Sequence, residues 1–423
     1  MSALALVLTT LVLTVAATVF ALNFITGEKK IERVIERRYR IDDPQFLRSM
    51  GVLLGPALVA GNRVQTLSNG DEIFPSMLAA IRSAQKTIAF ETFIYWEGDI
   101  GKAFADALSE RARAGVRVHV LLDWVGCAEM DAGYLDEMKA AGVEVMHYHP
   151  LRWYHLARMN NRTHRKLLVV DGRTGYTGGV GIAPQWEGHA QDADHWRDLH
   201  YRVEGPVVAQ MQAAFMDNWM KTRGAVLHGV DYFPPLEAVG PHLAQMFKSS
   251  PNEGSESMRL MYLMAIHAAA RSLCIANAYF VPDDLTVKAL IDAVARGVEV
   301  EVLVPGANID AKVVRRASRA RWGKLLAAGV RIHEYRPTML HTKLMVVDDL
   351  WVSVGSTNFD NRSFRLNDEA NLNVYDREFA LAQRAMFARD LEQAKAIDLA
   401  AWKRRPWREK VLENTAALLR SQL

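Results

Sequence analysis

Two stretches of the sequence repeat one spacing of histidine, lysine and aspartate. In each stretch the lysine follows the histidine by two positions and the aspartate follows the lysine by five. The residues are His164, Lys166 and Asp171 in the first copy, and His341, Lys343 and Asp348 in the second. Residues two apart share a face of a β-strand, so each histidine and its lysine should leave a strand in the same direction. One copy alone would be typical of a solvated edge strand, but the recurrence indicates a shared site.

These residue types suit chemistry at a phosphodiester. One imidazole can attack phosphorus and form a covalent phosphohistidine, while the other protonates the departing alkoxide and then activates the incoming alcohol. Lys166 and Lys343 can hold the equatorial oxygens and stabilise the charge of the transition state. Lysines beside the histidines repel cations, so no metal is expected.

A turn of small residues follows each motif at the same distance. The first turn contains Gly179 and Gly181, and the second contains Ser356 and Asn358 at the corresponding positions. Ser356 and Asn358 can donate hydrogen bonds to a phosphate. The first copy lacks these side chains, and we expect backbone N–H groups of its glycine turn to take their place.

Acidic residues complete the candidate site. Asp198 and Glu369 lie downstream of the two turns, and a carboxylate bonded to the far ring nitrogen would fix the tautomer of a histidine. Asp171 and Asp348 belong to the motifs, but we expect them to lie off the cleft and to hold the geometry of the strand and loop.

The elements around the motifs also occur twice. Predicted strands alternate with amphipathic helices from about residue 61, and the same order begins again near residue 241. Paired phrases such as RAGVRVHVLLD and ARGVEVEVLVP support a duplication. Strand–helix alternation predicts parallel βαβ units. We therefore expect an α/β fold of two duplicated lobes, with mostly parallel central sheets flanked by helices and one active site between them.

The bulk composition is that of a folded protein of two or three units. Half of the 423 residues are apolar and 23% are charged, and the net charge of +3 gives no sign of a general polyanion-binding protein. The two cysteines, Cys127 and Cys274, lie far apart. They exclude a disulfide framework and a cysteine zinc cluster.

The N-terminal segment predicts a single transmembrane helix. No charged side chain precedes Glu28, and residues 2–25 form a mostly apolar run long enough to cross a bilayer. A cleaved signal peptide and a buried helix are the alternatives. The next residues are basic, which favours a cytoplasmic location of the lobes, although a solvated helix with ion pairs would have the same composition. The basic residues are Lys29, Lys30, Arg33, Arg37, Arg38 and Arg40.

We divide the chain into six segments: a transmembrane anchor (1–27), a basic juxtamembrane segment (28–60), the first lobe (61–224), a linker (225–240), the second lobe (241–395) and a basic, tryptophan-containing tail (396–423). The tail can form a cationic helix at a membrane interface or a helix packed on the second lobe. An aromatic and basic insert at 151–161 can gate the site or form a surface loop. Its distinctive residues are Arg152, Trp153, Tyr154 and Arg158.

The sequence resembles the phospholipase D superfamily, and within it the bacterial cardiolipin synthases. The resemblance runs from about Gly61 to Gln393 and includes ETFIYW, NRTHRKLLVVDG, TGGVGIA, WRDLHYRVEG, HTKLMVVDD and GSTNFDNRS. It implies transfer of a phosphatidyl group from a phospholipid, with phosphatidylglycerol as the expected donor, to phosphatidylglycerol. Glycerol would leave, and the intermediate would be a phosphatidyl-histidine formed without a metal or nucleotide.

The resemblance also assigns roles. His164 corresponds to the nucleophile and His341 to the acid and base, and the bacterial inner membrane is the implied location, with the membrane and phospholipids as partners and no nucleic acid. Gly181 departs from the family, in which asparagine is frequent at both turns. The number of anchors also departs, since many relatives have two transmembrane helices.

Two alternatives remain open from the residues. One is a phospholipase D-type hydrolase, phosphodiesterase or nuclease of the same superfamily, although the small net charge and the apolar N-terminus weigh against a nuclease. The other is a non-catalytic phosphate-binding membrane scaffold, which the intact histidines and lysines of both copies disfavour. The oligomeric state and the choice between water and alcohol as acceptor cannot be derived from these residues.

Overall fold

The computed structural model describes residues 2–24, 31, 33, 35–36, 39–150, 160–251 and 256–423. Lys29, Lys30, Arg37 and Arg38 of the basic segment lie outside the described residues, and so do the insert residues Arg152, Trp153, Tyr154 and Arg158.

The described N-terminal region is helical. It contains α1 (Ala3–Phe24), α2 (Pro44–Ser49) and a short π-helix (Met50–Leu54). Within the part of the chain that the structure describes, no helix combines the length and the apolar character needed to cross a membrane.

Outside residues 151–159, the first lobe contains eight strands and four helices. They are β1 (Val59–Ser68), α3 (Asn69–Ser83), β2 (Thr87–Thr92), α4 (Asp99–Arg113), β3 (Arg117–Asp123), α5 (Ala132–Ala140), β4 (Glu144–Tyr148), β5 (Arg162–Thr163), β6 (Leu167–Val170), β7 (Thr174–Gly178), β8 (Leu199–Glu204) and α6 (Val208–Arg223). A 3-10 turn, Pro184–Trp186, lies between β7 and β8.

The second lobe repeats this order and ends in two further helices. Its elements are β9 (His242–Ser249), α7 (Ser257–Ala268), β10 (Ser272–Asn277), α8 (Asp284–Ala295), β11 (Glu299–Pro305), α9 (Lys312–Ala328), β12 (Arg331–Tyr335), β13 (Lys343–Val347), β14 (Trp351–Gly355), α10 (Asn361–Arg365), β15 (Asn367–Tyr375), α11 (Arg377–Glu392), β16 (Ala394–Ala396), α12 (Leu399–Arg404) and α13 (Trp407–Ala417).

One continuous sheet runs through both lobes. Its order is β16-β12-β11-β10-β13-β14-β15-β9-β1-β8-β7-β6-β2-β3-β4, and β5 pairs with β15 outside this path. From the centre outwards, β1-β8-β7-β6-β2-β3-β4 and β9-β15-β14-β13-β10-β11-β12 are the same order. The lobes join where β1 and β9 pair antiparallel. The duplication that the sequence predicts is therefore present in the order of the strands.

The expectation of mostly parallel sheets is wrong. Only β2–β3–β4 and β10–β11–β12 are parallel within the lobes, whereas β6, β7 and β8 and their counterparts pair antiparallel. The reason is the length of the connections. Helical crossovers return the chain in the same direction, but β6 and β7 are joined by a tight turn that can link only antiparallel neighbours.

Helices cover both faces of the sheet. Ile88 and Phe90 of β2 belong to a core with α3 and α4, while Ala89, which points the other way, belongs to a core with α6. On α4, Phe104 and Leu108 recur every four residues on the buried face. Each such side chain contributes about 1.5–3 kcal/mol when it leaves water.

The motif residues lie at the start of strands and not within them. His164 and Lys166 are in the extended segment between β5 and β6, and Lys343 opens β13 two residues after His341. The prediction that a strand carries each histidine is therefore only partly correct. The tail forms α12 and α13, and α13 packs on α9, as one of the two alternatives for this segment predicted.

Candidate active site

Each motif histidine is bonded to a carboxylate of the other lobe. His164 Nδ1 lies 3.0 Å from both carboxylate oxygens of Glu369. His341 Nδ1 lies 2.7 Å from Oδ2 of Asp198. The first lobe therefore supplies the acid for the second histidine, and the second lobe supplies the acid for the first. Neither lobe by itself contains both a motif histidine and the carboxylate that orients it.

Backbone hydrogen bonds of the two histidines also run to the other lobe. The N–H of His164 donates to the carbonyl of Asp368 at 2.9 Å, and the N–H of His341 donates to the carbonyl of Arg197 at 2.8 Å. In both cases the acceptor is the residue before the acid. The short β5 pairs parallel with the start of β15, and Leu340 makes an isolated parallel bridge to Arg197. These pairings fix each histidine relative to its carboxylate.

The carboxylates determine the protonation of the imidazoles. Because a carboxylate accepts a hydrogen bond from Nδ1–H, the lone pair of each neutral ring is on Nε2. Burial lowers the pKa of His164 to about 4, and the charge of Lys166 adds to this, although Glu369 opposes it. Burial and Lys343 likewise lower the pKa of His341. Both rings are therefore neutral at pH 7.

The lysines lie next to the histidines. Lys166 Nζ donates to the carbonyl of His164 at 2.7 Å, and Lys343 Nζ donates to the carbonyl of His341 at 2.6 Å. Lys343 Nζ is also 2.9 Å from Nε2 of its histidine. Burial lowers the pKa of Lys166 to about 7 and that of Lys343 to about 8. Two buried amines that hold their protons weakly will hold them more firmly beside a phosphate anion.

The two acids are held in different ways. Ser356 donates its hydroxyl proton to Glu369 Oε2, and the hydroxyl accepts the N–H of Ala370 at 3.0 Å. Ser356 therefore holds the acid, whereas we expected it to donate to a phosphate. Asp198 accepts the indole N–H of Trp186 at 2.9 Å. Trp186 has the role in the first lobe that Ser356 has in the second.

Close contacts explain the glycines of the first turn. A Cβ at Gly179 would lie 2.3 Å from Oδ1 of Asp198, and a Cβ at Gly181 would lie 2.7 Å from Cβ of Ile94 and 3.1 Å from the ring of Trp186. The first lobe therefore has no room for serine and asparagine at these positions. The N–H of Gly179 donates to the carbonyl of Leu199 at 3.1 Å, because β7 and β8 still pair there. It is not available to a phosphate, contrary to our expectation.

Asn358 is placed differently from its counterpart Gly181. The side chain is buried, and its Oδ1 has no hydrogen-bond partner among the residues that the structure describes. Its backbone N–H donates to Ser363 Oγ at 3.1 Å, so the backbone of the turn is fixed. The amide is a group that can bind substrate on the second-lobe side.

The motif aspartates lie away from the histidines. The carboxylate of Asp171 accepts three backbone N–H groups at 2.7–2.9 Å, from residues 85–87 at the start of β2. Asp348 accepts three at the same distances, from residues 270–272 at the start of β10. Each aspartate joins the turn after its motif strand to the neighbouring strand, and neither contacts an imidazole.

Aromatic rings surround the histidines, and the sequence analysis did not identify them. The ring of Phe93 lies 5.2 Å from that of His164. The rings of Trp186 and Trp196 lie 5.2 Å and 5.3 Å from that of His341. Aromatic walls exclude water and strengthen the electrostatic interactions of the site. The position of the two tryptophans, one after the glycine turn and one in WRD, was visible in the sequence, but not their contact with a histidine 145 or more residues away.

Arg165 is a further residue that the sequence analysis missed. Its fully buried guanidinium donates to the carbonyl of Ala214 at 2.7 Å, to Asp217 at 3.0 Å and to the carbonyl of Ser249 at 3.2 Å. It thereby ties the segment between the motif histidine and lysine to α6 and to the end of β9.

Comparison with known proteins agrees with this geometry. A family model described as "Cardiolipin synthase, PLD-like domain" matches residues 77–219 and 262–391. The chain is 36% identical over 361 residues to a cardiolipin synthase of Geobacillus kaustophilus, covering 85% of this chain and 72% of that protein. It is 37% identical over 358 residues to cardiolipin synthase A of Pseudomonas putida, covering 83% and 73%.

A solved structure supports the fold independently. The phosphatidylserine synthase of Haemophilus influenzae superposes with a TM-score of 0.66 at 14% identity, covering 90% of this chain and 100% of that one. The segments that the family model matches contain both motifs, both turns and both acids. The chain belongs to the cardiolipin synthase family of proteins with phospholipase D-like domains.

Proposed function

We propose that the protein is a cardiolipin synthase that transfers a phosphatidyl group from one phosphatidylglycerol to a second and releases glycerol. The observation that carries this proposal is the reciprocal pairing of His164 with Glu369 and of His341 with Asp198. It provides two neutral imidazoles, each with an oriented Nε2 lone pair, next to two buried lysines. Transfer through a covalent intermediate needs this set: a nucleophile, an acid–base group and cations for the phosphate.

In the first step, His164 Nε2 attacks phosphorus of the donor. A P–N bond forms, the P–O bond to glycerol breaks, and the protonated His341 gives its proton to the departing oxygen. A phosphodiester beside His341 favours the charged imidazolium, because an anion nearby raises the pKa of a histidine. In the second step His341 takes the proton from a hydroxyl of the second phosphatidylglycerol. The oxygen attacks phosphorus, the P–N bond breaks, and His164 is restored.

One difference between the two sites supports this assignment of roles. Lys343 Nζ lies 2.9 Å from Nε2 and 3.0 Å from Nδ1 of His341, whereas among the described residues His164 Nε2 has no hydrogen-bond partner. A lone pair without a donor beside it is the better nucleophile, which favours His164 for the attack on phosphorus and leaves the proton transfers to His341. The lysines would hold the equatorial oxygens in both steps.

Location at the bacterial inner membrane, with the lobes in the cytoplasm, remains a prediction from the apolar run at 2–25 and the basic residues after it. Fractionation of the bacterial host, with protease treatment of spheroplasts, tests it. Protection of the lobes together with recovery in the membrane fraction would support it, and recovery in the soluble fraction would contradict it.

The reaction is tested with purified protein and phosphatidylglycerol in detergent micelles, with products followed by mass spectrometry. Cardiolipin and glycerol in equal amounts are the expected products. Phosphatidic acid and glycerol without cardiolipin would show that water is the acceptor, and the protein would then be a hydrolase. Absence of turnover would contradict both.

A further inference from the structure

The last helix, α13, presents apolar side chains to solvent. Five large side chains of this helix and of the turn after it are exposed, and we call them the α13 apolar face: Trp407, Val411, Leu412, Leu418 and Leu419. Trp407, Val411 and Leu418 recur at helical spacing on one stripe, and Leu412 and Leu419 lie on a neighbouring stripe. Leu418 is 81% exposed and Trp407 is 69% exposed. Scattered apolar residues are normal on a surface, but a contiguous group marks a place of interaction.

The helix cannot turn this face inward, because its opposite side is fixed. The buried carboxylate of Glu413 accepts Nε–H of Arg319 at 2.8 Å and Nε–H of Arg405 at 2.6 Å. Ala416 lies in a small core with Val314 of α9. Release of Glu413 from two arginines would leave buried charges unpaired, which is costly. Exposure of the apolar face is therefore a stable property of this fold.

The residues that follow the face contact segments close in sequence to the candidate active site. After α13 the chain reaches α10, where the N–H of Arg362 donates to the carbonyl of Leu423 at 3.0 Å. Gln422 accepts from the amide of Asn160 at 2.7 Å. Asn160 precedes His164 by four residues, and Arg362 follows Asn358 by four. The two contacts place the end of the apolar face next to segments of both lobes that lead into the site.

The charges around the face select its partner. Lys403, Arg404 and Arg408 are exposed beside it, and the guanidinium of Arg408 lies 5.7 Å from the centre of the ring of Trp407. Glu409 points to Arg319 at 3.6 Å. A helix with tryptophan and leucine on one face and basic residues beside them is suited to the boundary between anionic headgroups and acyl chains. A protein partner would need complementary acidic residues, whereas a bilayer of anionic lipid presents negative charge over its whole surface.

We propose that the α13 apolar face inserts into the interface of an anionic phospholipid bilayer and so sets the mouth of the active site on the lipid surface. This inference rests on the proposed function, because the substrates of that reaction are bilayer lipids with two acyl chains. It adds a second attachment that is independent of the N-terminal segment and lies next to the chemistry.

Site-specific labelling of the full chain tests the contact. Both native cysteines are buried, so a cysteine introduced by Leu418→Cys can carry an environment-sensitive dye. The matched control is Val230→Cys, because Val230 is also exposed. Its neighbour Asp231 accepts a hydrogen bond from Thr87 at the start of β2, at the opposite end of the sheet from the histidines. In vesicles of phosphatidylglycerol and phosphatidylcholine, we expect the label at 418 to shift to the blue and to be protected from iodide. A label at 418 as accessible as that at 230 would overturn the proposal.

A second experiment separates this proposal from the proposed reaction. The double variant Val411→Ser, Leu418→Ser should lose transfer on long-chain phosphatidylglycerol vesicles by about tenfold or more, since each apolar side chain adds that order of affinity. It should keep full transfer on short-chain phosphatidylglycerol dispersed as monomers. The control is Val226→Ser, Val230→Ser, which changes two exposed valines elsewhere. Equal loss on both substrates, or no loss, would overturn the role of the face. A wild-type protein inactive on both substrates would instead refute the reaction, while the labelling still decides the contact.

Discussion

At the scale of single residues, the site depends on imidazoles that stay neutral and lysines that hold their protons weakly. Burial lowers the pKa of His164 to about 4 and that of Lys166 to about 7. A histidine with such a pKa is ready to attack phosphorus at neutral pH without first losing a proton. A lysine with such a pKa changes its charge within the physiological range, so substrate binding and protonation are coupled.

The assignment of His164 as nucleophile predicts a trapped adduct. With a phosphatidyl ester of 4-nitrophenol, whose leaving group needs no proton, His341→Ala should release one equivalent of nitrophenolate and retain the lipid on His164. His164→Ala should show no burst. Both variants should lose transfer between phosphatidylglycerol molecules by at least about 10³-fold. Peptide mapping locates the adduct, and His189→Ala, at an exposed position, is the control. An adduct on His341 would reverse the roles.

The lysines predict the alkaline side of the pH profile. Since kcat/KM reports the free enzyme, it should fall as the pH rises through about 7 to 8, where Lys166 and Lys343 lose their protons. Lys343→Arg should leave the onset near pH 7, which Lys166 sets, and make the fall above pH 8 less steep, because arginine stays protonated. The same substitution at the exposed Lys288 should leave the profile unchanged. A profile for Lys343→Arg that coincides with that of the wild type would contradict the role of Lys343.

At the scale of elements, the two turns solve one problem in different ways. In the second lobe the longer Glu369 reaches its histidine and is held by Ser356. In the first lobe the shorter Asp198 lies against Gly179 and is held by Trp186. The glycine turn of the first lobe is therefore not a weaker copy. It has exchanged its side chains for an indole from the next turn of the chain.

This difference predicts unequal effects of two small substitutions. Gly179→Ala would place a methyl group 2.3 Å from Asp198, so the acid must move, and transfer should fall by at least about 10²-fold. Ser356→Ala removes one hydrogen bond to Glu369 and should cost about tenfold. Steady-state kinetics and thermal unfolding of both proteins check this. Similar losses in the two variants would show that the close contact at Gly179 does not matter.

The sequence was informative about elements and motif residues for a definite reason. Duplication, strand–helix alternation and the two motifs are local patterns, and the helices and strands follow them closely. The strand direction in β6–β8 was missed because alternation suggested crossovers where short turns occur. The pairing of His164 with Glu369 spans 205 residues, and no local pattern determines which acid meets which histidine. Arg165 and the contact of Trp186 with His341 were missed for the same reason, since the partners come from distant segments.

At the scale of the whole molecule, the continuous sheet makes one cooperative body out of two copies. β1 and β9 pair at the centre, and α6 and α11 share the large core that spans the joint. Several titratable groups are buried in this body without a charged partner of their own. His200 is one of them: burial lowers its pKa to about 3, and its Nδ1 has no partner among the described residues.

Buried neutral histidines predict a loss of stability in mild acid. The unfolded chain takes up a proton on His200 near pH 6.5, whereas the folded chain does not, so the free energy of unfolding decreases as the pH falls. Between pH 6.5 and 5 the loss is ~2 kcal/mol for each such histidine. His200→Asn, which introduces the residue found at the equivalent position 371, should reduce this slope in thermal melts at pH 7 and pH 5. An unchanged slope would contradict this account.

The exchange of carboxylates between the lobes has a consequence for the life of the chain before it is complete. During synthesis the first lobe emerges with His164 and Lys166 already present. Glu369 is made more than two hundred residues later, which at cellular elongation rates is a delay of roughly ten seconds or more. Until then the first histidine has no acid to orient it, and Asp198 has no histidine to bind. We therefore expect a nascent or truncated chain to be unable to cleave lipids until the last strands have been added.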